Sequence, residues 1–424
     1  MERWIMKTLD LVQNAREQLA RLEPARTLVI LHPDFHGQHT LLAPLLKSSE
    51  QRTVFLAIPK QGADYKALTR ALAEALRSQL DDSVSDLPAK PDDAAQAVAQ
   101  VVRAHAPVNL IIDSYDLLDP DSTTDFLASL AARLPGGSRL VIGGRQLPMD
   151  LLWRKDLQPR IALIPVNPDQ MMLDYTQSIN ETVLEVRALG PGRVLINGRL
   201  ISHWDGILPR TLFFYFVDRG MTTRDEIFRT FWPSLSTREA TNVFHVTKRK
   251  ISEILGTDLT VYWSGFYRLS PDLELHYDVV KFAEAVQNAA VADDERALTL
   301  YQNAVELYHG PFLSTLEQEW VVQRRSELGT TYAEALAGMA RIYAKHDDKA
   351  NALGCYLRAA ATSPEREDLA RAIMELYRAL GQPAEALETY ERLEAELKQT
   401  LNVSPGPRTS ELANAIRAEL TGSA

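Results

Sequence analysis

A single cysteine, Cys355, occurs among the 424 residues. An internal disulfide is therefore excluded, and a reducing compartment is the one that fits. Long apolar runs are also missing, since no stretch approaches the roughly 18–20 residues needed to span a bilayer. The opening Met1-Glu2-Arg3-Trp4-Ile5-Met6-Lys7 is interrupted by charge and lacks the apolar stretch of a secretory leader. A cytoplasmic protein without membrane contact is expected. No paired carboxylates, nucleophile elbow or metal-ligand spacing stands out. His32, His36 and His39 lie close together, but no cysteine joins them and their intervals match no familiar site. No metal and no catalytic centre are expected. The chain is not basic either: its net charge of −10 argues against indiscriminate nucleic-acid binding.

What is present is unevenly spread. Residues 1–182 carry a net charge of −4 and residues 279–424 a net −7, whereas residues 183–278 hold 12 cationic against 11 anionic side chains. Only the middle region fails to repel phosphate on average. The length calls for two to four domains, and the hydrophobic patterning divides the chain the same way. Residues 2–22 read as an amphipathic helix. Apolar runs at 27–31, 53–58, 109–113, 139–143 and 160–165 then alternate with helical stretches near 39–47, 64–80, 92–105 and 121–134. Continuously apolar strands separated by helices imply a parallel sheet covered on both faces. Residues 81–93, rich in Asp, Ser and Pro, read as a mobile surface loop, and 166–182 as a linker.

From 183 the pattern changes. Strands at 184–189 and 193–196 flank Gly190-Pro191-Gly192, and Asn197-Gly198 leads into Leu200-Ile201, predicting a small antiparallel sheet. Helices are predicted over 211–217, 224–232 and 237–255, followed by a hairpin at 261–269 around Ser264-Gly265. From 279 onward the pattern is helical throughout. A shift of 34 residues maps Tyr343 on Tyr377, Ala352-Leu353 on Ala386-Leu387, Tyr356 on Tyr390 and Arg358 on Arg392, a tetratricopeptide period. The architecture expected is multidomain: an α/β domain (1–165), a linker (166–182), a central domain (183–278) and an all-α domain (279–424).

The helix over 237–255 has Ser236 or Thr237 as its cap and Gly256 as its stop. Ala240, Phe244, Thr247, Ile251 and Ile254 fall on an inward face. Arg238, Asn242, His245, Arg249 and Ser252 fall opposite, flanked by Thr241 and Lys248. Asn and Arg suit adenine and guanine edges in a major groove. Thr241, Lys248 and Lys250 suit phosphates, which position a protein without reading sequence. Tyr262, Trp263, Tyr267 and Arg268 would form a wing beside the helix. A polar helix face is also compatible with plain solvation.

The order of pieces adds to this. Val186-Arg187-Ala188-Leu189-Gly190, Ile196-Asn197-Gly198, Arg210 before Leu212–Val217, Asp225-Glu226-Ile227, Phe231-Trp232 and Gly265-Phe266-Tyr267-Arg268-Leu269 resemble the OmpR-type winged helix of the antibiotic-regulatory (SARP) family of bacterial activators. Asp278 with Phe282 marks the passage into a helical bacterial transcriptional activation domain. Leu307-Tyr308-His309-Gly310-Pro311-Phe312-Leu313, Glu319-Trp320, Arg325 and Ser363-Pro364-Glu365-Arg366-Glu367 resemble that domain. The resemblance covers about 183–417. It implies binding to double-stranded promoter DNA, often at repeated sites where two protomers sit together, and contacts to RNA polymerase. The helix at 237–255 is less basic than is usual in that family.

Residues 27–165 resemble the P-loop ATPase domain of the STAND regulators, in worn form. Gly37 remains, but Gln38 stands where the phosphate-binding Lys belongs and His39 where the first hydroxyl belongs, with Thr40 one place late. Asp113 resembles the acid of the magnesium strand, and Arg145 a nucleotide-sensing arginine. Without the Lys, ATP hydrolysis is not expected and no cofactor is assigned. A regulatory or protein-binding role for this domain is favoured. Three functions compete: a transcription regulator, a scaffold binding a protein partner on its tetratricopeptide-like surface, and an enzyme, which no motif supports.

Overall fold

The computed structural model describes residues 17–33, 52–59, 61–80, 87–164 and 182–422. Gly37, Gln38, His39 and Thr40, the helix expected at 39–47, most of that at 2–22, and residues 166–181 of the linker lie outside them. The N-terminal domain holds β1 (Leu28–Leu31), β2 (Arg52–Ala57), α1 (Tyr65–Leu80), α2 (Pro91–His105), β3 (Val108–Asp113), α3 (Pro120–Arg133), β4 (Arg139–Gly143), α4 (Met149–Leu152) and β5 (Ile161–Ile164). The five strands form one parallel sheet in the order β2-β3-β4-β1-β5. Strand β1 is fully buried: Leu28 and Ile30 join the core under the helices, while Val29 and Leu31 pack with Leu19 on the other face. That two-sided burial is why the runs are apolar without alternation. Among the described strands β2 stands at the edge, and there the Gln79 side chain accepts from Phe55 N at 2.9 Å and donates to Phe55 O at 2.9 Å. Such a clamp removes the donor and acceptor that another strand would use. The loop expected over 81–93 ends sooner, since Pro91 starts α2 with Asp92 and Asp93 in its first turn. Proline at the first helical position suits a helix start.

The central domain begins with β6 (Thr182–Arg187), β7 (Arg193–Ile196) and β8 (Arg199–Leu200). Three helices follow: α5 (Ile207–Arg219), α6 (Arg224–Phe231), which comes after β9 (Met221–Thr223), and α7 (Thr237–Leu255). The domain closes with β10 (Thr260–Trp263), β11 (Phe266–Leu269) and β12 (Leu273–Tyr277). Strands β10, β11 and β9 make an antiparallel sheet whose tip turns at Ser264 and Gly265. Both turn residues have positive φ, 49° and 91°, as a two-residue hairpin turn of the right twist requires. Three helices with this hairpin beside the last of them constitute a winged helix. One expectation is corrected: the first sheet is mixed rather than purely antiparallel. Strand β12 pairs parallel to β6 along its whole length, Leu273 opposite Thr182 to Tyr277 opposite Val186. The pattern Leu273, Leu275, Tyr277 hints at a strand, but its partner lies some 90 residues away, beyond the reach of local periodicity.

The C-terminal helices are α8 (Asp278–Ala289), α9 (Asp294–Leu307), α10 (Glu319–Lys345), α11 (Lys349–Thr362), α12 (Glu367–Ala379), α13 (Pro383–Thr400) and α14 (Pro407–Gly422). The 34-residue period is structural: Ala352 on α11 and Ala386 on α13 are fully buried, as nearly are Tyr356 and Tyr390. Small residues at these places let consecutive helices approach. One continuous core runs from Leu184 through Phe244 and Trp320 to Ile373, so the winged helix and the first C-terminal helices share it. Leu313 N donates to Ala188 O at 2.9 Å and Ser314 N to Gly190 O at 2.8 Å across the same seam.

The α/β domain docks on the winged helix through its strand ends. Leu200 N donates to Arg145 O at 2.8 Å, and Leu147 N to Gly198 O at 3.2 Å. Gln146 bridges Arg199 antiparallel, so the segment after β4 extends the edge at β8. Gly198 is needed there: its φ is +72°, and a Cβ would meet Leu147 Cδ1 at 3.1 Å. His32, at the end of β1, lies 3.9 Å from the Glu185 carboxylate, which Arg187 holds at 2.6 Å, with all three side chains buried or nearly so.

Candidate nucleic-acid interface

Helix α7 is fixed at both ends by its own sequence. Glu239 N donates to Ser236 Oγ at 3.4 Å, and Ser236 N donates to the Glu239 carboxylate at 3.1 Å. This reciprocal capping box satisfies two donors that the first helical turn leaves open. The Ser236 hydroxyl and amide hold the Glu239 carboxyl below its ordinary range. Gly256, at φ +75°, stops the helix with its N–H on Ser252 O. The preceding helix α6 has the same device in Thr223 and Glu226. Replacing Ser236 by alanine is expected to cost about 1 kcal/mol, measurable as a lower urea midpoint.

Phe244 orients α7. Its ring lies 5.0 Å from that of Tyr267 on the wing, 6.0 Å from Phe228 on α6 and 6.4 Å from Phe216 on α5. Ala240, Thr247 and Ile251 are buried with it as expected, but Leu255 completes the inward face while Ile254 is only half-buried. With that face fixed, Arg238, Asn242, His245, Val246 and Arg249 are exposed, covered among the described residues neither by the α/β domain nor by the C-terminal helices. The fold brings four of the expected residues together there: Arg238, Asn242, His245 and Arg249.

The other expected residues are engaged to different degrees. Thr241 is half-buried, and its hydroxyl donates to Thr237 O at 2.6 Å. Lys248 is half-buried with its ammonium 6.0 Å from the Tyr267 ring centre, an arrangement favourable to the cation. Lys250 reaches back to Asp205 at 2.6 Å and holds that carboxyl below its ordinary range. Arg249 is bound by Glu253 one turn on, at 2.8 Å. Arg268 lies over the Trp263 ring at 5.3 Å. The wing tip exposes Tyr262 and Trp263, 64% and 59% accessible, large apolar surface that solvation alone does not favour. Sequence reasoning passed over Val246, although its place four residues after Asn242 puts it on the same stripe. It also passed over Arg224, half-exposed at the start of α6.

At the strand ends of the α/β domain the expected nucleotide-sensing arginine is held by a protein partner. Arg145 is bidentate on Asp116: its backbone N–H and its Nε each donate to one carboxylate oxygen at 2.9 Å. The hook requires glycine beside it, because a Cβ at Gly144 would stand 2.2 Å from Asp116 Oδ1. Asp113 joins the sheet through its backbone carbonyl, which accepts from Ile58 N at 3.1 Å. No helix among the described residues is long and apolar enough to cross a membrane.

Residues 277–417 match the family described as the bacterial transcriptional activator domain. No curated protein matches the chain. Among solved structures it is similar to Mycobacterium tuberculosis EmbR in complex with a low-affinity phosphopeptide, at 20% identity and a TM-score of 0.46, over 56% of this chain and 66% of that one. It is also similar to a signal transduction ATPase with numerous domains and a tetratricopeptide repeat sensor from Pyrococcus horikoshii, at 11% identity and a TM-score of 0.28, over 95% of this chain and 66% of that one. The chain thus spans just under two thirds of the length of each.

Proposed function

From a chain that carries a bacterial transcriptional activator domain over residues 277–417, we infer a sequence-specific DNA-binding transcription regulator that activates its promoters. The observation that carries this reading is the exposed stripe Arg238, Asn242, His245 and Arg249 on a helix whose opposite face is locked into a winged helix. Asn242 and Arg249 would meet base edges. Lys248, Lys250, Thr241 and Arg268 would meet phosphates once their present partners exchange for the backbone of a duplex. Contacts to RNA polymerase, pairing of two protomers on repeated half-sites and a cytoplasmic location belong to the same reading. So does a protein partner on the tetratricopeptide-like helices.

The α/β domain serves in this reading as a regulatory module without enzymatic activity. Its docking through residues 145–147 onto β8 supports that role, because a shift at its strand ends would be felt by the sheet under the winged helix. The engagement of Arg145 by Asp116 supports the absence of nucleotide chemistry.

The test is selection of duplexes from a random pool with the full chain and with Asn242→Ala/His245→Ala/Arg249→Ala. A recurrent motif, bound with a steep salt dependence and at least about tenfold more weakly by the variant, is expected. A folded protein that enriches no duplex at low salt overturns the reading and leaves the scaffold function standing.

A further inference from the structure

One apolar side chain interrupts the polar stripe of α7. Val246 is 58% exposed, while the packing of the helix is carried by its neighbours Phe244 and Thr247, both buried. It stands one turn after Asn242, with His245 beside it and Arg249 three residues on, at the centre of the surface the helix presents. Arg238 and Arg249, the latter paired with Glu253 at 2.8 Å, stand toward the two ends of this stripe. Between them an amide and a branched apolar side chain occupy the middle of the reading face. In the major groove an asparagine amide matches the N6 and N7 edge of adenine, and thymine is the base that presents a methyl group.

We infer that α7 reads A·T pairs, with Asn242 on an adenine and Val246 packed against the 5-methyl group of a thymine. A helix advances about 1.5 Å per residue and a strand of duplex about 3.4 Å per base. The spacing of four residues between the two side chains therefore places adenine and thymine within two steps of each other. The inference rests on the reading of α7 as the DNA-contacting helix and adds a base class to it. Val246 is the specificity-determining residue.

The test uses the full chain and the duplex enriched from the random pool, with each thymine replaced singly by uracil, which differs only in lacking the methyl group. At one thymine, wild type is expected to bind the uracil duplex about fourfold more weakly, the scale of one buried methyl group. Val246→Thr, which keeps a methyl, should retain that preference. Val246→Ser should bind the two duplexes equally. Both substitutions are at an exposed position, so folding does not confound them. Equal binding of thymine and uracil by wild type at every position overturns the inference while leaving the regulator reading intact, as does a preference that survives in Val246→Ser. If no duplex is enriched at all, the regulator reading fails and this inference falls with it.

Discussion

Replacing Asp278 by alanine is expected to lower the stability of the unit formed by the winged helix and the C-terminal helices by about 2–5 kcal/mol, the cost of leaving two buried donors unpaired. Asp278 is the first residue of α8 and is 2% exposed. Its two carboxylate oxygens accept from Ala188 N at 2.9 Å and Leu189 N at 2.8 Å. Those amides end the extended chain after β6, so one carboxyl ties the first strand of the winged helix to the first of the C-terminal helices. Urea denaturation followed by tryptophan fluorescence reads this directly, since Trp204, Trp232 and Trp320 pack against the shared core. A midpoint unchanged in Asp278→Ala would mean that the seam is held elsewhere.

The same carboxyl makes the seam sensitive to pH. Burial pushes Asp278 up to about 7, against the opposing pull of the two amides and Arg187. A raised carboxyl binds its proton more tightly in the folded state. Its contribution to stability is therefore complete below the ordinary carboxylate range near 4 and is lost as pH rises through about 7. Between pH 5.5 and 8.5 the wild-type midpoint should fall more than that of Asp278→Asn, which cannot titrate. Equal falls in the two proteins would show that Asp278 keeps one charge state throughout.

Gly338→Leu is expected to cost about 3 kcal/mol or more through overpacking. Glycine in mid-helix is a poor choice by propensity, about 1 kcal/mol worse than alanine, yet Gly338 sits inside the 27-residue helix α10. The reason is Tyr301 of α9, whose ring would lie 2.5 Å from a Cβ at that position. The ring is 8% exposed and the helices around it are packed, so it has little room to withdraw. Thermal or urea denaturation of Gly338→Leu, alone and combined with Tyr301→Ala, distinguishes the cause. Partial recovery in the double variant is expected, because the truncated side chain vacates the contested space. A double variant as unstable as the sum of the single changes would place the strain in the backbone instead.

Much of this architecture was written locally in the sequence. Uninterrupted apolar runs such as Leu28–Leu31, alternating with helical stretches, read as strands buried on both faces. The spacing of Ala240, Phe244, Thr247 and Ile251 fixed which side of α7 faces inward, and so which residues face out. Ser236 was legible as a helix cap, and the capping pairs Ser236 with Glu239 and Thr223 with Glu226 could have been read from their spacing, because their bonds close within four residues. The 34-residue repeat announced the stacked helix pairs. Even the Arg249–Glu253 pair could have been read from its spacing of four.

Tertiary structure decided what depends on partners far away in the chain. Periodicity records which side of an element is buried and says nothing of what buries it. Hence β12 was missed until β6 lay beside it, Lys250 looked free until Asp205 approached, and Asp278 looked like an ordinary helix-start acid until two amides of the β6 exit closed on it. The docking of residues 145–147 on β8 has the same origin, since a backbone edge carries no side-chain signature for its partner. The sequence by itself determined the elements and their faces, through interactions that close within a turn or two. The fold decided which cations of α7 remain available and how the three domains hold one another, through contacts that form only when distant segments are already in place.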